Sequence, residues 1–225
     1  MQAVFFWKKW IKNVVVFGSI ILVLACLAYA NALQRAVVVQ VKKEFSFVGK
    51  SFESIGVGSF ETQQMGGAGY VLTGIDHSFV AVGVYTSNLD AERVASGLKN
   101  GYSVMRVRAN DLYFTTNKQK NNAQLYKGAF RSLDGCMQVL SQEIARLENG
   151  ATQQSSKRIL GELKGQFAYL SQTHEKVFPS FALVCNKAEK DLEDLAQNII
   201  TTAKLRYLLC QWSADYCQLS REFLP

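Results

Sequence analysis

The sequence predicts an α+β chain: an N-terminal transmembrane helix, a small antiparallel sheet with one packed helix, and a long antiparallel three-helix bundle or hairpin. Three observations predict it. Residues 14–30 carry no charge. Residues 78–107 alternate with period two, then show helical spacing, then alternate again. From Asn117 onward apolar residues recur every three or four positions. The divisions are 1–35 as anchor, 36–66 as a connector with some β structure at Ala36 to Val41 and Phe45 to Val48, 67–116 as the α+β domain and 117–225 as the helical region.

Lys8, Lys9 and Lys12 precede the uncharged run, with Trp7 and Trp10 beside them. Extended from Val14 to Leu33 the run is twenty residues long, with Asn31 as its one strongly polar member. A bilayer crossing takes roughly 20 apolar residues, and interfacial tryptophans sit at its edge. The lysines put the N-terminus in the cytoplasm and everything after Arg35 outside, which predicts a single-pass cell-membrane protein. A removable signal peptide ending at Ala30-Asn31-Ala32 is the rival reading. The run exceeds the usual signal core of roughly 7–15 residues, which favours an uncleaved anchor.

Formal charge is +7, and the part after the run carries +4, because three of the 25 basic residues precede it and all 18 acids follow it. A mild excess of this kind suits an anionic wall or membrane surface. No clustered basic stripe with interleaved aromatics points to nucleic acid. Four cysteines lie outside: Cys136, Cys185, Cys210 and Cys217. Buried free thiols and one bridge are both open for them. Cys210 and Cys217, two helical turns apart, stand about 10 Å from each other along a helix, too far to bridge. No cofactor and no metal site is expected, since no C-x-x-C pair exists and His77 and His174 are the only histidines.

The α+β part is read from short signals. Ala68 to Leu72 is a short strand, and Thr73 to Asp76 turns it into the strand Ser78 to Tyr85. Val80, Val82 and Val84 fall on one face of that strand; Phe79, Ala81, Gly83 and Tyr85 fall on the other. Ser87 caps a helix, with Asp90 three residues on and a stripe of Ala91, Val94, Ala95 and Leu98. Asn100-Gly101 stops it, and Tyr102 to Arg108 returns as a strand. Leu112 to Phe114 adds a short fourth strand.

Val80-Ala81-Val82-Gly83-Val84-Tyr85, followed by Asp90-Ala91, Val94 and Leu98, resembles the SPOR domain, a peptidoglycan-binding module of bacterial envelope proteins. The match runs from Tyr70 to Val107, with Ala81 and Val84 standing where the family has Gln and Ser. The resemblance implies a βαββαβ fold whose open sheet face binds glycan strands, and a role in cell division or sporulation. Ile55-Gly56-Val57-Gly58-Ser59-Phe60 also matches the strand motif, but no helix follows, so it is assigned to the connector.

The helical part opens with a heptad seam: Tyr126, Phe130, Leu133, Met137, Leu140, Ile144 and Leu147. Asn149-Gly150 ends that helix. A second runs from about Gln153 to Phe178, with Leu160, Leu163, Phe167, Leu170, His174 and Val177 on its seam, and Pro179 ends it. A third runs from Ser180 towards Phe223, its apolar stripe changing phase between Ile199 and Leu209.

No nucleophile, base and orienting group recur together, so no enzyme is predicted. His77 reads as an exposed turn residue and His174 as a packed seam residue. Tyr70, Phe79, Tyr85, Arg106 and Arg108 are the candidate glycan-binding residues: aromatic rings stack on sugars, and arginines hydrogen-bond hydroxyls and carboxylates. The same face packed against the long helices would bury Phe79 and Tyr85 as core. Two functions follow. One is an envelope protein, held to the membrane through Val14 to Leu33, that binds peptidoglycan glycan. The other is an envelope scaffold whose helices bind a protein partner or a second copy.

Overall fold

The computed structural model describes residues 21–27, 37–72, 78–98 and 101–224. Lys8, Lys9, Lys12, Trp7, Trp10, most of Val14 to Leu33, the Thr73 to Asp76 turn, His77 and Asn100 lie outside the described residues.

The chain enters on β1 (Val37–Val39) and continues through β2 (Lys43–Ser51), α1 (Ile55–Gln64), β3 (Tyr70–Val71), β4 (Phe79–Tyr85), α2 (Asn88–Gly97) and β5 (Ser103–Ala109). From β2 to β5 the order is strand–helix–strand–strand–helix–strand. The sheet order is β3-β4-β2-β5, and every neighbour is antiparallel. This is the split βαβ arrangement, in which right-handed crossovers put both helices on one face. The resemblance implies the same order of elements. Many unrelated functions share that topology, so it carries no family by itself.

β6 (Leu112–Phe114) pairs with β1 in a separate two-stranded ladder. Then come α3 (Asn117–Asn121), α4 (Ala123–Glu148), α5 (Gln153–His174), α6 (Pro179–Gln197) and α7 (Thr202–Arg221). Local chemistry sets their ends. Thr116 and Gln119 form a reciprocal capping box at α3. Gly150, at φ 88°, closes α4, and Pro179 opens α6 at its first turn. α7 packs against α4 and α6 and also against β3, β4 and β5. It therefore takes the sheet face that α1 and α2 leave open. Tyr216 fixes it there: its ring meets Phe45 edge-on at 5.6 Å, and its hydroxyl donates to the Val41 carbonyl at 3.0 Å. Phe45 and Phe47 of the sheet thus join Phe130, Leu133, Phe167 and Trp212 of the helices in one continuous core.

Four expectations are corrected. The transmembrane helix is not found: among the described residues no helix is long and apolar enough to cross a membrane. Of Val14 to Leu33 only residues 21–27 are described, a helical stretch with exposed side chains. The sheet carries two helices rather than one, because Ile55 to Gln64 is helical. Its wheel shows no apolar stripe, so it is held by docking: Gly58 sits against the Phe52 ring, where a Cβ would stand 2.4 Å from it. The β character expected inside the connector 36–66 includes the sheet's own strand β2, and Leu112 to Phe114 pairs with β1 instead of extending the sheet. Finally the third long helix is two. The chain breaks after Gln197, and the Thr201 hydroxyl accepts from the Lys204 amide at 3.3 Å to start α7. That break is the phase change between Ile199 and Leu209.

Candidate functional site

The five residues expected to form one binding face are placed in three different settings. Phe79 is 2% exposed, its ring edge against Gly49. Gly49 stands at a β-bulge: Val48 pairs with Gly83 but Gly49 pairs with Ala81, so Val82 has no opposite number. The extra residue resets the alternation. Val84 falls opposite Phe47 and enters the same core as Phe79 and Ala81, instead of sharing a face with Val80 and Val82. A Cβ at Gly49 would come within 2.4 Å of the Val80 carbonyl oxygen, so the strands approach this closely only over a glycine.

Arg106 and Arg108 alternate with buried Val107 and Ala109, which turns both arginines away from the bundle and into solvent. Arg108 donates twice to Glu44 Oε2, from Nη2 at 2.7 Å and Nε at 3.2 Å. This holds the Glu44 carboxyl below its ordinary range. Among the described residues Arg106 makes no ion pair. Tyr70 and Tyr85, both half-buried, line two separate clefts on the seam between sheet and bundle.

The first cleft, about 470 Å³, lies beside Tyr85, Phe45, Asp90, Glu148, Arg206 and Leu209. Burial raises the Tyr85 phenol, against the nearby Arg206 guanidinium. Arg206 is a structural clamp: it bonds the Glu148 carboxylate on α4 and the Gly66 carbonyl after α1. Lys43 likewise pairs with Asp134 and ties β2 to α4. The cationic and acidic groups of this cleft are therefore already matched.

The second cleft is larger, about 780 Å³, and is walled by β3, Ser59 and Gly69 on one side and by α7 on the other. Gly69 adopts φ 63°, and a Cβ there would strike the Ser59 carbonyl at 2.6 Å, so this wall also needs its glycine. Tyr207, Gln211, Asp215, Gln218 and Arg221 line the cleft from successive turns of α7, and Lys187 reaches in from α6. The Tyr70 and Tyr207 rings meet edge-to-face at 5.3 Å and 73°. Burial raises both phenols, and for Tyr70 the Asp215 carboxylate is the next cause. Burial also lifts the Asp215 carboxyl to about 6, with Lys187 opposing and Asp191 assisting. Sequence reasoning missed this set. Its signal is a polar stripe at spacings of four, four, three and three along a helix whose apolar stripe drew the attention.

His174, expected on a seam, is 4% exposed beside the edge of Phe181. Burial lowers its pKa. All four cysteines after the N-terminal run are buried and free. Burial pushes Cys136 up to about 11 and Cys185 and Cys217 to about 12. Among the described residues no three His, Cys, Asp or Glu side chains stand together to hold a metal ion. Comparisons with family models, curated proteins and solved structures found no match.

Proposed function

We propose that this chain is a scaffold that self-associates through the exposed apolar residues of α1 and its C-cap, with no glycan bound on its sheet. One observation carries the reading: α7 lies across the sheet face that the glycan would need, with Phe45, Phe47, Phe79 and Val107 all at most 5% exposed. The surface left over is apolar on the opposite side. Ile55, Val57, Phe60 and Met65 are 38–61% exposed within eleven residues, while α1 buries only Gly58 and Thr62. Exposed apolar side chains that gather in one segment mark candidate contact surfaces, and a two-fold contact would bury the same residues on both copies.

Sedimentation velocity of the full chain tests the reading, alongside co-sedimentation with purified peptidoglycan. The expected result is a concentration-dependent dimer that Val57→Asp with Phe60→Asp dissociates, and no retention on peptidoglycan. Retention that Arg106→Ala with Tyr85→Ala abolishes would favour glycan binding and overturn the proposal. A monomer at all concentrations overturns it too.

A further inference from the structure

Asp215 stands out among the acids near the seam. Glu148 is bonded by Arg206, Asp134 by Lys43, and Asp191 accepts from Gln211 Nε2 at 3.0 Å. Among the described residues Asp215 has no hydrogen bond and no ion pair, although it is mostly withdrawn from solvent at the wall of the second cleft. A partly buried carboxylate without a protein donor is costly, and such groups are enriched at binding and catalytic sites. Tyr70 and Tyr207 line the same cleft, and ring faces attract ammonium groups. Lys187 and Arg221 stand at the rim.

This combination selects among ligands. A divalent cation needs several oxygen ligands, and only one uncommitted carboxylate is present. A plain amine meets the repulsion of Lys187 and Arg221. A molecule with an ammonium at one end and a carboxylate at the other satisfies both sets of charges. The volume of about 780 Å³ lies in the range that holds small ligands. We propose that the cleft between β3 and α7 binds a zwitterionic short peptide, with its terminal ammonium on Asp215, beside the Tyr70–Tyr207 pair, and its carboxylate towards Lys187 and Arg221. Ser59 of α1 borders this cleft, but the proposed contacts use none of the exposed apolar residues of α1, so the site does not depend on the scaffold reading.

Isothermal titration of the full chain at pH 7.5 with three probes tests it: triglycine, N-acetyl-triglycine and triglycine amide. Triglycine is expected to bind with Kd at or below about 1 mM. Acetylation, which removes the ammonium, weakens binding roughly ten- to hundred-fold, as expected for loss of a charged hydrogen bond. Asp215→Asn has the same effect on triglycine and none on the acetylated probe. Lys187→Ala with Arg221→Ala weakens triglycine but leaves the amide unchanged. Circular dichroism checks that each variant is folded, and Tyr207→Leu serves as a second variant that weakens triglycine without changing the cleft's charge. No binding of triglycine at 10-fold that concentration overturns the proposal, as does equal binding by folded Asp215→Asn or equal affinity for the acetylated probe.

Discussion

Asp215→Asn makes the cost of the buried carboxylate measurable. Burial raises the Asp215 carboxyl from an ordinary 3.8 to about 6. Between those values the folded chain holds a proton that the unfolded chain has released. The sign follows: wild-type stability falls as pH rises through this window, and the loss is nearly complete by about pH 7, one unit above the folded-state value. A difference of about 2 pH units, at 1.36 kcal/mol each, is about 3 kcal/mol. This is a ceiling, because the carboxylate still touches the water of the cleft. Asparagine has the shape of the protonated acid and never ionises. Urea unfolding of both proteins at pH 3.5, 5, 6 and 7.5 reads the difference directly, and groups common to both cancel. The variant is expected to match wild type at pH 3.5 and to exceed it by up to about 3 kcal/mol at pH 7.5. For a chain of this size that corresponds to a melting temperature about 6–12 °C higher. A gap that does not change with pH, or a variant no more stable at pH 7.5, would refute the reasoning. The same variant being the more stable one also means that its loss of triglycine binding cannot be put down to unfolding.

Other expectations rest on single contacts. Gly49→Ala drives a methyl into the Val80 carbonyl and the Phe79 ring, and is expected to cost about 2 kcal/mol or more in urea unfolding. Glu143, 1% exposed, accepts from the Ser156 hydroxyl and from Arg146 Nη1 at 2.7 Å. Ser156→Ala, which strips one donor from a buried carboxylate, should destabilise by about 1–3 kcal/mol, read from the unfolding midpoint. Tyr216→Phe removes the hydroxyl bond to Val41 and should cost about 1 kcal/mol; Tyr216→Ala also removes the contact with Phe45 and should cost about 3–5 kcal/mol. Cys136, Cys185, Cys210 and Cys217 should react with a thiol reagent only at the rate of unfolding, and fast labelling of any of them in the native chain would contradict their burial.

Much of the fold was legible because its signals are local. The heptad spacing of Tyr126 to Leu147, the Asn149-Gly150 stop, Pro179 and the Ser87 cap each act within a few residues, and each marks an element or its end in the structure. The phase change after Ile199 located the break between α6 and α7, although a kink and a break look alike in a stripe of apolar residues. The α1 segment was not legible. Its Val57 and Phe60 read as strand residues, and only the docking of Gly58 on Phe52 makes it a helix worth forming. The candidate site was less legible still. The alternation in Phe79 to Tyr85 is sound on either side of Val82, but a bulge depends on the partner strand, and Gly49 lies thirty residues away.

By itself, then, the order of residues determined where helices begin and end and which strands carry apolar faces, since both depend on neighbours along the chain. Which sheet face is covered was decided by tertiary structure alone. An apolar face records that something must exclude water from it, but not whether that something is a ligand or another part of the chain. Here it is α7, and the same packing that closes the sheet opens the polar cleft beside Asp215.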